Sequence, residues 1–402
     1  MSTSIFAAVE QAPRDPILGL TESFNADSRT DKVNLGVGVY YDDNGKLPLL
    51  AAVKAAEEAR LKTQPPRGYQ PIDGNAAYNQ AVRDLLFGAG SARATDGSVA
   101  TFQALGGTGA LKVGADYLKK LLPQATLYIS DPSWENHRAL FESVGFPVET
   151  YPYYNPATRG VDFAAMLQKL AALPPLSVVL LHACCHNPTG ADLTADEWQK
   201  VAEIAREKNI VPFLDMAYQG FADGIEPDTA AVRAFSASGS QFFVSSSFSK
   251  NFSLYGERVG ALSVVTANQE EAGRVASQIK RVIRTNYSNP PTHGGAIVAA
   301  VLSSQELRKI WEDELGVMRN RIRAMRQGLV DALTAEGVTR DFSFIAQQRG
   351  MFSFTGLSKE QVERLKTEFG IYAVSSGRIN VAALNGKNLP VVARAIAAVV
   401  QN

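Results

Sequence analysis

Lys250 and Asp215 are the side chains whose types and positions could carry the most specific chemistry. Asp215 directly follows the hydrophobic segment 210–214, and Lys250 comes shortly after the segment 241–245. A lysine at the end of an apolar segment, with Arg258 nearby, could have a lowered pKa and so act as a nucleophile. Taken singly, each could also be an ordinary loop lysine or an ordinary aspartate at the end of a strand.

A lysine and a carboxylate are the two groups that pyridoxal phosphate requires of a protein. The lysine amine forms a Schiff base with the cofactor, and the carboxylate keeps the pyridine nitrogen protonated. A protonated ring accepts the electrons that are released when a bond at the α-carbon of the substrate breaks. The pair of Lys250 and Asp215 therefore favours a site for this cofactor.

The glycine-rich segment 106–109 could bind the phosphate group of such a cofactor. Glycines ahead of a helix let backbone N–H groups approach an anion, and the helix dipole favours its negative charge. Thr108 adds a hydroxyl donor. The segment matches neither a P-loop nor a dinucleotide fingerprint, so taken alone it could be a simple turn. Apolar residues recur after it at helical spacing: Leu111, Ala115, Leu118 and Leu122.

Trp134 and the histidines are further candidates for a site. Trp134 could stack on a flat ring, although a tryptophan beside a strand is commonly part of the core. His182 and His186 are four residues apart, as in a zinc pair on a helix, but Pro188 argues against a helix there. No metal site is predicted. His137 and His182 are candidates for residues that tune the site from behind, or for structural histidines.

Five segments rich in apolar and β-branched residues are expected to position these groups. They do not alternate between apolar and polar residues, which is typical of strands covered on both faces in a mostly parallel sheet. A helix is predicted over 194–208, where Thr194 and Glu197 form a capping box. Strands and helices alternate from about residue 100 to 270, which indicates a doubly wound α/β domain with ligands at the carboxyl ends of its strands. The segments are 126–130, 177–181, 210–214, 241–245 and 259–265.

A long amphipathic helix is predicted after this domain. Its apolar stripe steps by three and four residues, and the arginines around it are expected mostly off the buried face, in solvent. Shorter segments, 351–355 and 378–382, then indicate a second, α+β domain. The stripe is Trp311, Leu315, Met318, Ile322, Met325 and Leu329, and the arginines are Arg319, Arg321, Arg323 and Arg326.

Composition narrows the class of protein. The chain has 402 residues, and 40 Lys and Arg balance 40 Asp and Glu. It therefore lacks the basic excess of nucleic-acid and membrane-surface binders, and neither partner is expected. The longest apolar run, 296–302, is far shorter than the roughly 20 residues that cross a membrane. The adjacent Cys184 and Cys185 are poorly placed for a disulfide, and the N-terminus does not resemble a secretory signal. A cytoplasmic protein of two or three domains is expected.

Nine segments in chain order resemble the class I aminotransferases of fold type I, in the aspartate and aromatic-amino-acid aminotransferase group. The resemblance covers nearly the whole chain and implies a large domain with a mostly parallel, doubly wound sheet and a smaller α+β domain. The segments are DPILGL, KVNLGVGVYYDDNG, LGGTGALKVGADYL, DPSWENH, CCHNPTGADLT, DMAYQGF, SFSKNFSLYGERVG, RTNYSNPP and SGRINVA.

The resemblance implies a role for each matching residue around pyridoxal 5′-phosphate. Lys250 would form the Schiff base, Asp215 would pair with the pyridine nitrogen, and His137 would lie behind Asp215. His182 is expected to tune the site from behind. Asn187 and Tyr218 would hydrogen-bond the phenolic oxygen, and Trp134 would stack on the ring. The phosphate would be held by Gly107, Thr108, Ser247 and Arg258, with Tyr69 from a neighbouring subunit.

The resemblance also implies how substrate is bound. Arg378 would bind the α-carboxylate through both arms of its guanidinium, which lysine cannot do. Arg284 would reach in from the partner chain towards a distal carboxylate, and Gly38 lies in the segment that closes over substrate. Because Tyr69 and Arg284 would act across an interface, the resemblance implies a homodimer. Trp134 and Asn187 would also contact substrate.

The implied activity is transfer of the amino group of tyrosine, phenylalanine and aspartate to 2-oxoglutarate by a ping-pong mechanism. The alternatives are a strict aspartate aminotransferase, another lyase or decarboxylase with this cofactor, and a binding protein without catalysis. A nicotinamide-dependent dehydrogenase is disfavoured by the missing fingerprint. The expected organisation is an arm over 1–14, a small domain over 15–47 and 318–402, and a large domain over 48–317. A helix over about 310–335 would link the two domains.

Overall fold

A seven-stranded sheet lies at the centre of the structure, a computed structural model that describes residues 4–13 and 17–401 without the side chain of Leu18. The described strands are β1 (Val33–Asn34), β2 (Val99–Leu105), β3 (Leu127–Asp131), β4 (Val148–Pro152), β5 (Tyr154–Asn155), β6 (Gly160–Val161), β7 (Val178–His182), β8 (Val211–Met216), β9 (Phe242–Ser247), β10 (Val259–Val265), β11 (Phe352–Phe354), β12 (Ile371–Tyr372) and β13 (Arg378–Asn380).

Helices cover the sheet and build the rest of the molecule. The described α-helices are α1 (Leu18–Ala26), α2 (Ala51–Thr63), α3 (Ala76–Phe87), α4 (Ala92–Thr95), α5 (Gly106–Leu121), α6 (Glu135–Ser143), α7 (Phe163–Ala171), α8 (Ala195–Glu207), α9 (Ala230–Ser238), α10 (Gln269–Asn286), α11 (His293–Ser303), α12 (Gln305–Ala335), α13 (Phe344–Gln347), α14 (Lys359–Phe369) and α15 (Leu389–Gln401). No helix in the described ranges is long and apolar enough to cross a membrane.

The central sheet has the order β2-β10-β9-β8-β7-β3-β4. Its pairs are parallel except for those of β10, which is antiparallel to both of its neighbours. The register places His182 beside Asp215 and Asp215 beside Ser245, so the carboxyl ends of three strands present polar side chains at one edge. The predicted α/β class with a mostly parallel sheet is confirmed.

The five predicted segments all form strands of this sheet, four of them shifted by one residue towards the carboxyl end at their start. Two strands of the sheet, β2 and β4, were missed by the sequence analysis. The sequence of β2 (VATFQAL) buries Thr101 and Gln103, and that of β4 (VETYP) is mostly exposed. Neither sequence therefore has the continuous apolar character by which the other strands were found.

The predicted capping box at the start of α8 is confirmed. The Thr194 hydroxyl accepts a hydrogen bond from the N–H of Glu197 at 3.3 Å, and the Glu197 carboxylate accepts one from the N–H of Thr194 at 2.8 Å. Two N–H groups that have no partner within the helix are thereby satisfied. The helix then packs against α7 and α9.

The long helix α12 begins at Gln305, where Ser304 caps it by accepting the N–H of Leu307. Its predicted apolar stripe is buried except at Met325, which is only half-buried. The expectation that the arginines lie mostly in solvent is wrong for Arg326, which is only 1% exposed. Its guanidinium points into the segment 345–352 and donates hydrogen bonds to backbone carbonyls there. Arg321 and Arg319 also bond backbone carbonyls, of Leu384 and Gly220.

A separate buried cluster lies outside the central sheet. It is formed by Leu35 and by residues between 329 and 399, around two small sheets, β1-β12 and β11-β13. This arrangement is consistent with the predicted α+β part of the chain. Of the predicted arm, residues 1–3 and 14 lie outside the described residues, as do residues 15, 16 and 402 of the predicted small domain.

Candidate active site

A cleft of about 270 Å³ opens at the carboxyl ends of the central strands. It gathers most of the side chains that the sequence analysis singled out. Those that belong to the central sheet meet there because their strands end on the same side of it, and Arg378 is added from β13 of a separate sheet. The predicted residues that line it are Gly38, Gly107, Thr108, Trp134, His182, Asn187, Asp215, Tyr218, Ser247, Lys250, Arg258 and Arg378.

Lys250 lies in the turn that follows β9, with its ammonium nitrogen 4.9 Å from the centre of the Tyr218 ring. Burial lowers the pKa of Lys250 to about 8, with the positive charge of Arg258 adding to the effect and the carboxylate of Asp215 opposing it. A substantial fraction of the amine is therefore neutral near pH 7–8 and able to act as a nucleophile or a base. Burial raises the pKa of Tyr218, so its phenol stays protonated.

Asp215 ends a chain of hydrogen bonds that runs behind the cleft. His137 Nε2 lies 2.7 Å from Asp215 Oδ2, and His137 Nδ1 lies 2.9 Å from the hydroxyl of Ser133. Burial alone would raise the pKa of Asp215, but the hydrogen bond from His137, together with the positive charge of Lys250, holds it below its usual value. The carboxylate is therefore ionised and can stabilise a positive charge in the cleft.

His182 and His186 are neutral imidazoles. Burial lowers the pKa of His182 to about 3, and burial together with the neighbouring histidines also lowers the pKa of His186 well below its usual value. His186 is held by Ser130 and Thr189, both at 2.8 Å, and stacks on Tyr153. Within the described residues, no group of three or more His, Cys, Asp or Glu side chains could hold a metal ion.

The opposite end of the cleft has the features of an anion site. The first turn of α5 places Gly107 and Thr108 at a helix N-terminus, where N–H groups and the dipole attract negative charge. Gly106 has φ +67°, and a Cβ there would lie 2.5 Å from the guanidinium of Arg258. A Cβ at Gly107 would lie 3.1 Å from the Cβ of Ser247. The glycine at 106 therefore lets the guanidinium of Arg258 approach the helix start, and the glycine at 107 leaves room for the side chain of Ser247 beside it.

Arg378, at the start of β13, is 1% exposed. Its Nη1 donates to the side-chain oxygen of Asn187 at 3.1 Å and its Nη2 to the carbonyl of Gly36 at 2.7 Å. The ring of Phe352 lies 4.2 Å from the guanidinium carbon. Its Nε has no hydrogen-bond partner, and no carboxylate in the described part of the chain forms an ion pair with it. A buried cation with a free donor is suited to binding a carboxylate ligand.

The donor set fits pyridoxal phosphate. An amine of lowered pKa, an ionised carboxylate and an anion site lie around one cleft, and these are the groups that the aldehyde, the ring nitrogen and the phosphate of this cofactor need. The family model of the aminotransferases of class I and II matches residues 30–396. The chain belongs to this aminotransferase family.

Relatives cover almost the whole aminotransferase chain. An aspartate aminotransferase of Pseudomonas aeruginosa is 65% identical over 98% of this chain and 99% of its own. A crystal structure of an aromatic-amino-acid aminotransferase from Burkholderia pseudomallei, covalently bound to pyridoxal phosphate, is 64% identical, covers 99% of this chain and 100% of its own, and has a TM-score of 0.97. A second solved structure is that of an aromatic amino acids aminotransferase from Psychrobacter sp. B6, cocrystallised with aspartic acid. It is 46% identical, covers 99% of this chain and 100% of its own, and has a TM-score of 0.97. The protein is a pyridoxal phosphate-dependent aminotransferase.

Two predicted site residues of this aminotransferase lie away from its cleft. Tyr69 is 95% exposed. Arg284 is exposed on α10, where it donates to the hydroxyl of Ser288. Neither lines the cleft of its own chain, so their roles stay predictions that require a second subunit.

Phe352 is a site residue that the sequence analysis missed. Its ring packs under Arg378, and a Cβ at Gly38 would lie 2.8 Å from its tip. The side-chain amide of Asn380 holds the carbonyls on both sides of Gly38, those of Val37 and Val39, at 2.7 Å. A phenylalanine in an apolar segment looks like a core residue, and nothing in the sequence indicates that its ring meets Arg378. Phe352 lies opposite Asn380 in the antiparallel pair of β11 and β13, and only the folded structure brings its ring against the guanidinium.

Proposed function

We propose that this aminotransferase moves the amino group of tyrosine, phenylalanine and aspartate to 2-oxoglutarate in a ping-pong cycle. The observation that carries the proposal is Arg378, a buried guanidinium with a free donor in the same cleft as Lys250. Every substrate named has an α-carboxylate that this guanidinium could bind. Nearly equal identity to proteins named for aspartate and for aromatic amino acids supports acceptance of both.

Lys250 is proposed as the attachment point of the cofactor and as the general base and acid of the reaction. When bound, pyridoxal phosphate supplies an aldehyde for this amine and a ring that withdraws electrons from the α-carbon of the substrate. Burial sets the pKa of Lys250 at about 8, so near neutral pH the freed amine can take the proton from the α-carbon and return it. Lys250 thereby moves one proton within the cleft.

The other residues are proposed to hold and polarise the cofactor. Asp215, supported by His137, would stabilise the charge on the ring nitrogen. Asn187 and Tyr218 would hydrogen-bond the phenolic oxygen. Trp134 would stack on the ring, and His182 would tune the site from behind. The phosphate would be bound by Gly107, Thr108, Ser247, Arg258 and the Tyr69 of the partner subunit, at the anion site at the start of α5.

Substrate is proposed to lie between two arginines of different subunits. Arg378 would bind the α-carboxylate, beside Trp134 and Asn187. Arg284 of the partner subunit would meet the distal carboxylate of aspartate or glutamate, and the segment of Gly38 would close over both. This assignment needs a homodimer, and the exposure of Tyr69 and Arg284 outside their own cleft supports it.

The proposed organisation follows the boundaries 1–14 for the arm, 15–47 with 318–402 for the small domain, and 48–317 for the large domain. The separate buried cluster of Leu35 and residues 329–399 supports this division. The protein is proposed to act in the cytoplasm. Both of its cysteines are free and buried, which suits a reducing compartment.

Replacing Arg284 with alanine is expected to separate the two substrate classes. The variant should lose kcat/KM for aspartate by about 10²–10³-fold, because removing one partner of a desolvated ion pair costs about 2–5 kcal/mol. Its kcat/KM for phenylalanine should change by less than about threefold, since phenylalanine has no distal carboxylate. The measurement is the steady-state rate of each amino acid with 2-oxoglutarate.

Arg281→Ala is the matched control, because Arg281 is exposed on the same helix. It should leave both rates unchanged. Dual specificity is wrong if phenylalanine is inert with the unmodified protein, in which case the chain is a strict aspartate aminotransferase. The role of Arg284 is wrong if its variant keeps the full rate with aspartate.

A further inference from the structure

Asp192 holds the turn that precedes Asn187. One carboxylate oxygen accepts the N–H of Cys185 at 2.7 Å, and the other accepts the N–H of His186 at 2.8 Å. Cys185 has φ +52°, a left-handed conformation that a residue with a side chain adopts only where its surroundings impose it. The two charge-assisted hydrogen bonds are such a constraint. Asp192 therefore fixes the backbone from which the Asn187 side chain projects.

Arg326 holds a second backbone segment from the side of α12. Its guanidinium donates to the carbonyls of Ile345, Gly350 and Phe352, at 3.0, 2.7 and 2.5 Å. No carboxylate in the described part of the chain forms an ion pair with it. Burial lowers the pKa of Arg326 to about 9, and Asp192 is near enough to oppose that fall. The planar fork of an arginine suits several converging carbonyl groups, which a single ammonium group could not bridge in the same way.

The two segments meet backbone to backbone. The N–H of Arg349 donates to the carbonyl of Gly190 at 2.7 Å. A Cβ at Gly190 would lie 2.7 Å from the carbonyl oxygen of Phe352, and a Cβ at Gly350 would lie 2.5 Å from the Cβ of Cys185. Both glycines have positive φ. The segments 185–190 and 345–352 therefore form one tight contact, here called the Asn187–Phe352 seam, with Asp192 on one side and Arg326 on the other.

The Asn187–Phe352 seam supplies two of the contacts that hold Arg378, and the carbonyl of Gly36 supplies a third. Asn187 accepts a hydrogen bond from one arm of the guanidinium, and Phe352 supports its face. We propose that Asp192 and Arg326 are positioning residues that orient Arg378 for carboxylate binding by fixing the Asn187–Phe352 seam from its two sides. The inference rests on the proposed role of Arg378 and assigns a function to two charged groups that touch neither cofactor nor substrate.

Removal of the Asp192 carboxylate should weaken carboxylate binding without slowing the chemical step. The turn at Cys185 would lose both restraints, and Asn187 would no longer hold the guanidinium at one angle. Arg378 binds substrate equally before and during reaction, so the loss should fall on KM while kcat stays within about threefold. A small displacement of a binding group costs about 10–100-fold.

The test is the dissociation constant of maleate, a dicarboxylate without an amino group, measured by calorimetry on the pyridoxal phosphate-loaded protein. Asp192→Ala should weaken binding about 10–100-fold and raise KM for aspartate by the same factor. Asp192→Asn should have a smaller effect, because an amide offers one oxygen where the carboxylate offers two. If the Asp192→Ala variant does not fold, the affinity of Asp192→Asn for maleate is the test of the proposal.

Asp228→Asn is the matched control. Asp228 also accepts backbone N–H groups, those of Gly220, Ala222, Asp223 and Gly224, and these hydrogen bonds hold a different segment from the Asn187–Phe352 seam. The Asp228→Asn variant should be less stable than the unmodified protein, but its dissociation constant for maleate should stay within about twofold. The inference is overturned if the Asp192 variants bind maleate as the unmodified protein does, or if Asp228→Asn weakens binding equally. Failure of the unmodified protein to bind maleate would instead contradict the proposed role of Arg378.

Discussion

Replacing Lys250 with alanine should lower kcat for amino transfer by at least about 10³-fold. The variant loses the amine that anchors the cofactor, and it also loses the group that moves the α-proton, a role that contributes about 10²–10⁴-fold by itself. No second lysine lines the cleft in the described part of the chain, so no other amine can replace it. The measurement is kcat for aspartate with 2-oxoglutarate at saturating pyridoxal phosphate.

Lys309→Ala provides the comparison for this prediction. Lys309 lies on the exposed face of α12 and forms a surface ion pair with Asp313, so its loss should leave kcat unchanged. The pKa of Lys250, about 8, also gives the expected pH dependence. The rate of proton removal from the α-carbon should rise as the pH increases towards 8, because the neutral amine is the base. A Lys250→Ala variant that keeps a tenth of the activity would contradict the assignment.

Replacing Asp215 with asparagine should lower kcat by about 10²–10³-fold, the usual cost of removing one preorganised electrostatic partner from a buried site. Asparagine has nearly the same shape, but it carries no negative charge to stabilise a proton on the ring nitrogen. His137 can still donate its Nε2–H to the amide oxygen, so the loss reports the charge rather than the packing. The measurement is kcat for aspartate with 2-oxoglutarate, together with the rate constant of a single turnover with aspartate alone.

Asp223→Asn is the control for Asp215, because Asp223 is a half-exposed carboxylate that pairs with Arg323 and Arg349 at the surface. Its loss should change kcat by less than about twofold. Since the hydrogen bond from His137 and the positive charge of Lys250 keep the pKa of Asp215 below its usual value, the unmodified carboxyl stays ionised through the neutral range. An Asp215→Asn variant with unchanged kcat would show that the ring charge is held by another group.

The strand ends were predictable from the sequence for a physical reason. Strands buried on both faces must be continuously apolar, so the first polar residues after them, such as Asp215 and Lys250, mark the edge of the sheet. The structure places both residues in the cleft. The same reasoning missed β2, because Gln103 is buried there with its own hydrogen bond to the carbonyl of Pro291. A buried polar residue with a partner cannot be distinguished in sequence from an exposed one.

Residues that depend on contacts between distant segments were harder to predict. Arg326 reads as one more basic residue on a helix, and only the carbonyls of 345–352 explain why it is buried. Phe352 reads as core until Arg378 is placed against it. Tyr69 and Arg284 were assigned through the resemblance alone. The sequence around each of them does not indicate a site, because each is proposed to act on the cleft of the partner subunit and not on its own.

The central claim is that Lys250 carries the cofactor, and borohydride reduction tests it most directly. Borohydride converts a Schiff base between the protein and pyridoxal phosphate into a stable amine, which peptide mass spectrometry then locates. The reduced protein should carry one pyridoxyl group per chain, on the peptide that contains Lys250. A group attached to another lysine, or no attached group after full loading with the cofactor, would contradict the account.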